Sequence, residues 1–416
     1  MILAAWFWFI AWSLWWLIAH LGAQGTTPVM ALIGLLALPF LFWKRPRPSA
    51  DVLAFAAFMA WCILTTFWSE GADPGLVTID PENSNFAIEA PGLRLALTSL
   101  LCGYAYWALH HLKGKDYGRG LIAMRAGLII QAVLMAGWVF FWSDLMNAVR
   151  NIGDEPGSAL QNMIRIINIT VLMIPLLAVS MPFAKLPLQI AIGVVAAIGL
   201  FILTERPGIE AMAAVLAMAA AGAMIVGATI FGRYIYRILG ILTAIGVMAM
   251  PGFAYIATRL VSTETTSLGV SARIESWRYV LHKITERPIL GWGVEASKGW
   301  DESRIITFPN GQLHDLRFVP GHPHNGALQI WAETGLIGAV LISAFAIFLG
   351  ERLTRTCSPS RTVIAVGAAC WGGTLVYAAV SYSVWNDAFW AAILFISSGV
   401  LILSRMHARK LEAQSW

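Results

Sequence analysis

Apolar residues in this chain fall in long blocks separated by short polar punctuation. Blocks long enough to cross a hydrocarbon core lie at roughly 4–21, 28–43, 52–68, 94–110, 121–142, 164–183, 187–203, 209–231, 235–258, 325–349, 362–384 and 388–404, a crossing helix needing about 20 apolar residues. The pattern predicts an all-α, polytopic membrane protein of about 12 transmembrane helices, because a helix satisfies its own backbone groups in lipid. Only Ala184, Lys185 and Leu186 part the sixth and seventh blocks. The first block lacks a basic leader and a small-residue cleavage site, so it reads as a first span rather than a removed signal peptide.

One segment, 259–324, is too polar to span and long enough to form an extramembrane layer. Within it Ser271–Glu286 predicts an amphipathic helix. Ile274, Trp277, Leu281 and Ile284 recur at helical spacing, with Glu275, Arg278, His282 and Lys283 between them. Pro288 stops this helix, and Gly291, Gly293 and Gly299 mark turns beyond it. The 69–93 connection, rich in Pro, Gly, Asp and Asn, reads as irregular. The chain thus divides into spans 1–9 over 1–258, a helical loop layer over 259–324, and spans 10–12 with a short tail over 325–416.

Composition agrees with the pattern. Of 416 residues 58% are hydrophobic and 12% charged, and the mean hydropathy is +0.70, too little charge to cover a soluble protein of this size. The net charge of +5 does not point to nucleic acid, since the basic residues sit in short clusters between apolar blocks. With the N-terminus in the cytoplasm, the inside connections carry Lys44, Arg45 and Arg47; Lys113, Lys115 and Arg119; Lys185; Arg233 and Arg237; Arg352, Arg355 and Arg361; and Arg405, Arg409 and Lys410. The outside ones carry acidic stretches such as Glu70, Asp73, Asp80, Glu82 and Glu89. This alternation follows the positive-inside rule and puts both termini in the cytoplasm and the large loop outside. Trp43, Trp68, Trp142, Trp371 and Trp385 stand at span ends, where an interfacial belt is expected. Cys62, Cys102 and Cys370 lie inside apolar blocks and Cys357 in a basic loop, without metal-ligand spacing.

Several kinds of chemistry have no motif here. There is no P-loop, no DxD pair, no GxSxG elbow and no His/Cys/Glu cluster with metal spacing, so neither a metal nor a cofactor is expected. Three candidates share the outer face. Arg206, in Thr204-Glu205-Arg206-Pro207-Gly208, could grip a lipid-linked phosphate with its planar fork, or simply snorkel beside Glu205. Arg273 lies one turn before Trp277, with Arg278 beyond, on what is otherwise a solvated basic face that also includes Lys283 and Arg287, with Lys298 further along. In Gly321-His322-Pro323-His324-Asn325-Gly326, leading into the tenth span, His324 could take a proton from a hydroxyl near neutral pH, or merely cap the helix.

The same segment carries a family resemblance. His324-Asn325, nine residues, then Gly335, within HNGALQIWAETGLIG, resembles the signature of bacterial O-antigen ligases and, more broadly, the ligase/O-antigen-polymerase superfamily. SARIESWRYVLHKITERPILGWG resembles the family's Arg-x-x-x-Trp helix followed by a Pro-x-x-Gly-x-Gly turn. The resemblance implies metal-independent, inverting glycosyl transfer at the periplasmic face of the bacterial inner membrane. The donor would be an undecaprenyl-diphosphate-linked glycan and the acceptor a sugar hydroxyl of lipid A–core. Under it His324 activates the acceptor, and Arg206 and Arg273 contact the diphosphate, with Arg278 a rival for Arg273. Trp277, His322 and Asn325 join Arg278 as substrate-binding candidates. An O-antigen or exopolysaccharide polymerase uses a similar site, and a protein O-glycosyltransferase is a third enzyme reading. A lipid-linked glycan flippase would instead place its charges along a path through the bundle.

Overall fold

A computed structural model of the chain describes residues 2–20, 25–41, 47–71, 78–80, 85–87, 90–151, 156–181, 209–261, 268–307, 313–357 and 360–414. The expected seventh span at 187–203, the 184–186 hairpin and Arg206 lie outside the described residues. In chain order the elements are α1 (Ile2–Ser13), α2 (Trp15–His20), α3 (Thr26–Leu41), α4 (Ala50–Thr66), β1 (Thr78–Asp80), β2 (Asn85–Ala87), α5 (Pro91–Leu109), α6 (Gly114–Asn151) and α7 (Pro156–Ser180). There follow α8 (Ile209–Phe231), α9 (Ile235–Leu260), α10 (Leu268–Glu286), β3 (Ser303–Thr307), β4 (Leu313–Arg317), α11 (Gly326–Thr356), α12 (Arg361–Val380) and α13 (Asp387–Gln414).

This is an all-α, multi-pass membrane protein. Gly114–Met135, Met212–Leu260, Gly326–Thr356, Arg361–Val380 and Asp387–Arg409 are long and apolar enough to cross a bilayer. Ala4–Ser13, Thr26–Pro39, Ala50–Thr66 and Ile164–Ser180 are shorter apolar helices beside them. The stretch Met212–Leu260 is α8 and α9 run end to end through a 3-10 turn at Gly232–Tyr234. Leu242, Ile245, Phe253 and Ile256 on α9 stay exposed, an apolar face that lipid rather than protein covers.

Contact between helices is close where side chains are small. A Cβ added to Gly240 on α9 would lie 2.5 Å from the Ala346 carbonyl oxygen on α11, and one added to Gly350 would lie 2.5 Å from that of Tyr236. Such small residues let backbones approach in lipid, where dispersion rather than water exclusion holds helices together. At the other side of the bundle Trp8, Trp12 and Trp15 surround Phe395, with ring centroids 5.8, 4.2 and 5.0 Å away. The indole of Trp12 donates to Ser398 Oγ at 3.1 Å, joining the first helix to the last.

The two membrane faces differ in their charges. At one end Arg352 pairs with Asp51 at 2.9 Å, and Glu351 accepts from Arg237 at 2.6 Å and Arg355 at 2.7 Å. The other end carries the 268–324 layer and is called the loop face below. There the predicted amphipathic helix runs Leu268–Glu286, three residues earlier than expected, with Ile274, Val280 and Ile284 buried. Val280 and Ile284 join Ala254, Trp300, Leu328 and Ala332 in one cluster that seats the layer on α9 and α11. Burial of Val280, Ile284 and Leu328 contributes about 1.5–3 kcal/mol each.

Three expectations are corrected. The 69–93 connection contains a short hairpin, β1 antiparallel to β2 with Ile79 opposite Phe86, and the loop layer contains a second, β3 with β4, Ile305 opposite Asp315. Strands this short carry too little alternation to stand out among turn residues. Trp385 is buried rather than interfacial, because its indole serves a buried carboxylate. Lys283 is not on a solvated face. Its side chain is 14% exposed, with its ammonium 4.6–5.7 Å from the rings of Trp292, Tyr279 and Trp300. Arg287 stacks over Trp292 at 3.9 Å, and Lys298 pairs with Glu295 at 2.7 Å.

Candidate active site at a broken helix

The two stretches singled out in the sequence meet at a break in α11. That helix is interrupted at Gly335, whose φ is 66° and ψ −166°. The turn after Pro288 fills the gap. Leu336 N–H donates to Pro288 O at 2.9 Å and Ile337 N–H to Ile289 O, while Trp292 N–H donates to Ala332 O at 2.9 Å and Gly293 N–H to Glu333 O at 2.8 Å. The helix's freed donors and acceptors are thereby satisfied by a second strand of backbone, as buried polar groups require. Only glycine fits at the crossing. Gly291 has φ 70°, and a Cβ there would lie 2.5 Å from Glu333 O; one at Gly335 would run into Ile289 O. From α4, Trp61 donates to Thr334 O at 2.8 Å, and beyond its end Trp68 donates to Gly291 O at 3.2 Å.

On the loop-face side of the break, Asn325, Gln329 and Glu333 stand one turn apart on a single stripe. Asn325 caps the helix, its Oδ1 accepting from Leu328 N–H at 2.9 Å. Its place in the motif thus has a structural reason, and among its described contacts it faces Met250. Glu333 is fully buried and accepts from Ser297 Oγ at 2.6 Å, Glu295 N–H at 2.5 Å, Gln329 Nε2 at 3.1 Å and the Trp385 indole. Gln329 Oε1 in turn accepts from Ser383 Oγ and Val384 N–H at 3.1 and 3.0 Å. This carboxylate therefore ties the loop layer, α11 and the 381–386 turn together. Sequence reasoning missed it, although three polar residues at fourfold spacing on an apolar span were a signal.

The histidine turn sits just before the cap. His324 has φ 51°, a left-handed conformation uncommon outside glycine, Asn and Asp. Its N–H donates to His322 Nδ1 at 3.1 Å, and the two rings lie 4.3 Å apart. That bond makes Nδ1 the acceptor and leaves the proton of neutral His322 on Nε2. Burial, then the neighbouring His324 and Arg273, lowers the His322 pKa to about 3. Trp277 holds the turn from α10, its indole donating to Pro323 O at 3.3 Å.

The two rival arginines have different partners. Arg273 lies near enough to His322 to disfavour its charge, its Nη1 donating to Gly269 O at 3.1 Å and its Nη2 to Val380 O at 3.2 Å. Arg278 is paired with Glu275 at 2.6 Å and donates to Thr258 O at 2.7 Å. It lines a separate surface groove with Tyr255, Arg259 and His282. The site so far holds a cation, two imidazoles and a pinned turn at the loop face, an arrangement that can bind an anion and exchange a proton beside it. Among the described residues no three His, Cys, Asp or Glu side chains gather to hold a metal ion.

Comparison with known proteins bears on the same region. Residues 191–343 match the family model described as O-antigen ligase. A protein of Rickettsia felis named "putative polysaccharide ligase" is 28% identical over 202 residues, covering 47% of this chain and 47% of that protein. A Rickettsia conorii protein with the same description is 31% identical over 143 residues, 34% of this chain and 32% of the relative. An uncharacterized protein of Haemophilus influenzae is 35% identical over 81 residues, 20% of this chain and 19% of the relative. The matches thus span about a third to a half of the length of these curated ligase relatives. No solved structure matches the chain.

Proposed function

From the match of residues 191–343 to the O-antigen ligase family model, we propose that the protein is a glycosyltransferase of this class. It moves a glycan from an undecaprenyl-diphosphate-linked donor to a sugar hydroxyl of lipid A–core. The loop face is the periplasmic side of the bacterial inner membrane and both termini are cytoplasmic, as the charge alternation supports. The 259–324 segment is then the periplasmic layer between two sets of spans. The observation that carries this reading is the convergence of Arg273, His322 and His324 at the loop-face end of the broken α11.

In this reading the acceptor hydroxyl approaches the anomeric carbon from the side opposite the diphosphate, so the configuration inverts. His324 takes the hydroxyl proton as the new C–O bond forms. The bond to the diphosphate breaks, and its electron pair leaves with a phosphate oxygen. Arg273, with Arg206 as the expected second cation, stabilises that charge without a metal. His322 stays neutral, and its Nδ1 holds the backbone of His324 in the conformation the turn needs. Trp277 and Asn325 act by fixing this turn and the helix start.

Purified protein given a lipid-linked donor with either lipid A–core or a second donor molecule tests the reading. A glycosylated lipid A product is expected; a lengthened lipid-linked chain would identify a polymerase instead. His324→Ala should abolish transfer while thermal melting is kept, and full activity in that variant would remove the mechanism. Arg273→Ala should lower transfer by about 100-fold or more, whereas Arg278→Ala should not. The reverse result would overturn the assignment of the helix arginine.

A further inference from the structure

Across the 381–386 turn from the histidines lies a second feature, an open cleft of about 400 Å³. That volume falls in the range of about 300–1,000 Å³ in which small-molecule sites occur. Three cations line it: Arg94 from the first turn of α5, Arg165 from α7, and Lys298 from the loop layer. Two carboxylates, Glu295 and Asp387, and the polar side chains of Ser383 and Asn386 complete the polar part of the wall. Glu295 lies 2.7 Å from both Arg94 and Lys298, so one carboxylate aligns two cations and cancels only one. An excess of positive charge remains. The cleft is open at the surface, the Lys298 and Arg94 side chains being 52% and 38% exposed.

The cleft is built rather than incidental. Glu295 is held at φ 64°, and its N–H donates to the buried carboxylate of Glu333 at 2.5 Å. Trp385, which lines the cleft, is fixed by the same carboxylate. The wall toward the histidines is shared: Val380, at the end of α12, accepts from Arg273, and Tyr382 and Ser383 follow it along the cleft. The cleft is thus joined to Arg273 through the 380–383 stretch. Cations suited to an anion, interleaved with carboxylate, amide and hydroxyl groups that pair with sugar hydroxyls, specify a charged saccharide rather than a neutral one. Ile169, Ala388 and Phe389 form the apolar part of the wall.

We propose that this cleft binds an anionic saccharide, gripping its charge through Arg94, Arg165 and Lys298 while a hydroxyl reaches toward His324. This deepens the ligase reading and rests on it for the saccharide's identity, the charged sugar portion of the acceptor. The probe is deacylated, phosphorylated lipid A–core oligosaccharide titrated onto the purified full chain in detergent, followed by calorimetry, with maltoheptaose as the neutral counterpart. Wild-type protein should bind the charged oligosaccharide and not maltoheptaose. Lys298→Gln and Arg165→Gln, checked for unchanged melting, should each weaken binding about tenfold, and Arg278→Gln, in the separate groove, should not. In the transfer assay the same two variants should raise the acceptor KM and leave the donor KM unchanged. Equal affinity for the neutral oligosaccharide, wild-type binding in both variants, or displacement by phosphatidylglycerol in mixed micelles would each overturn the assignment. If the oligosaccharide binds as described but no glycan is transferred, the ligase reading fails and the cleft stands. If transfer proceeds and both variants keep the wild-type acceptor KM, the cleft assignment fails and the ligase reading stands.

Discussion

At the scale of single residues, the site depends on a neutral imidazole beside a cation. Burial, and after it the neighbouring His324 and Arg273, disfavours the charged form of His322. Its folded pKa is lowered from 6.5 to about 3. A group depressed in this way contributes stability that is fully present above the unfolded value of about 6.5 and is lost as pH falls toward 3, because only the unfolded chain takes up the proton. Imidazole NMR shifts of His322 should therefore stay constant from pH 8 down to about 4.5. A midpoint near 6.5 would show an open, hydrated ring. Asn325 and Trp277 teach a different lesson at this scale. Both are substrate-binding candidates by their place in the motif, and each also has a structural bond, Asn325 capping α11 and Trp277 pinning Pro323.

At the scale of elements, the decisive object is the clasp between the turn after Pro288 and the break in α11. Four backbone hydrogen bonds cross it, and both Gly291 and Gly335 have positive φ in the crossing. Gly335→Ala should destabilise the protein by several kcal/mol, the sum of about 1–3 kcal/mol of backbone strain and a clash with Ile289 O. Thermal melting in detergent and faster proteolysis of the loop layer would report it; an unchanged melt would mean the break is not needed for the fold. The sequence showed these glycines and the proline as turn markers. Their partnership could not be read there, because a hydrogen bond between Gly293 and Glu333 joins residues 40 apart, and nothing local encodes it.

At the scale of the whole molecule, the bundle closes by joining its ends. Phe395 on α13 is fully buried among Trp8, Trp12 and Trp15 from the first two helices. Phe395→Ala should cost about 3–5 kcal/mol, read as a lowered melting temperature with transfer activity retained at low temperature. Loss of activity without a change in melting would place α13 closer to the chemistry than this packing role allows.

The sequence by itself determined the membrane class, the placement of most described helices, the amphipathic α10 and the neighbourhood of the histidine turn. Each of these rests on a period, a length or a local charge bias, quantities carried by adjacent residues. Only the tertiary structure decided that Arg273 neighbours His322 while Arg278 pairs with Glu275, since the two are five positions apart and helical spacing leaves the choice to what packs on each side. It also decided that Lys283 is caged and that Glu333 is a buried hub. It brought Arg94, Arg165 and Lys298, from three distant parts of the chain, around one cleft. The physical reason is the same throughout. Lipid-facing and protein-facing positions of a span are almost equally apolar, so hydropathy marks where a helix crosses, while packing and long-range hydrogen bonds settle which of its faces meets which neighbour.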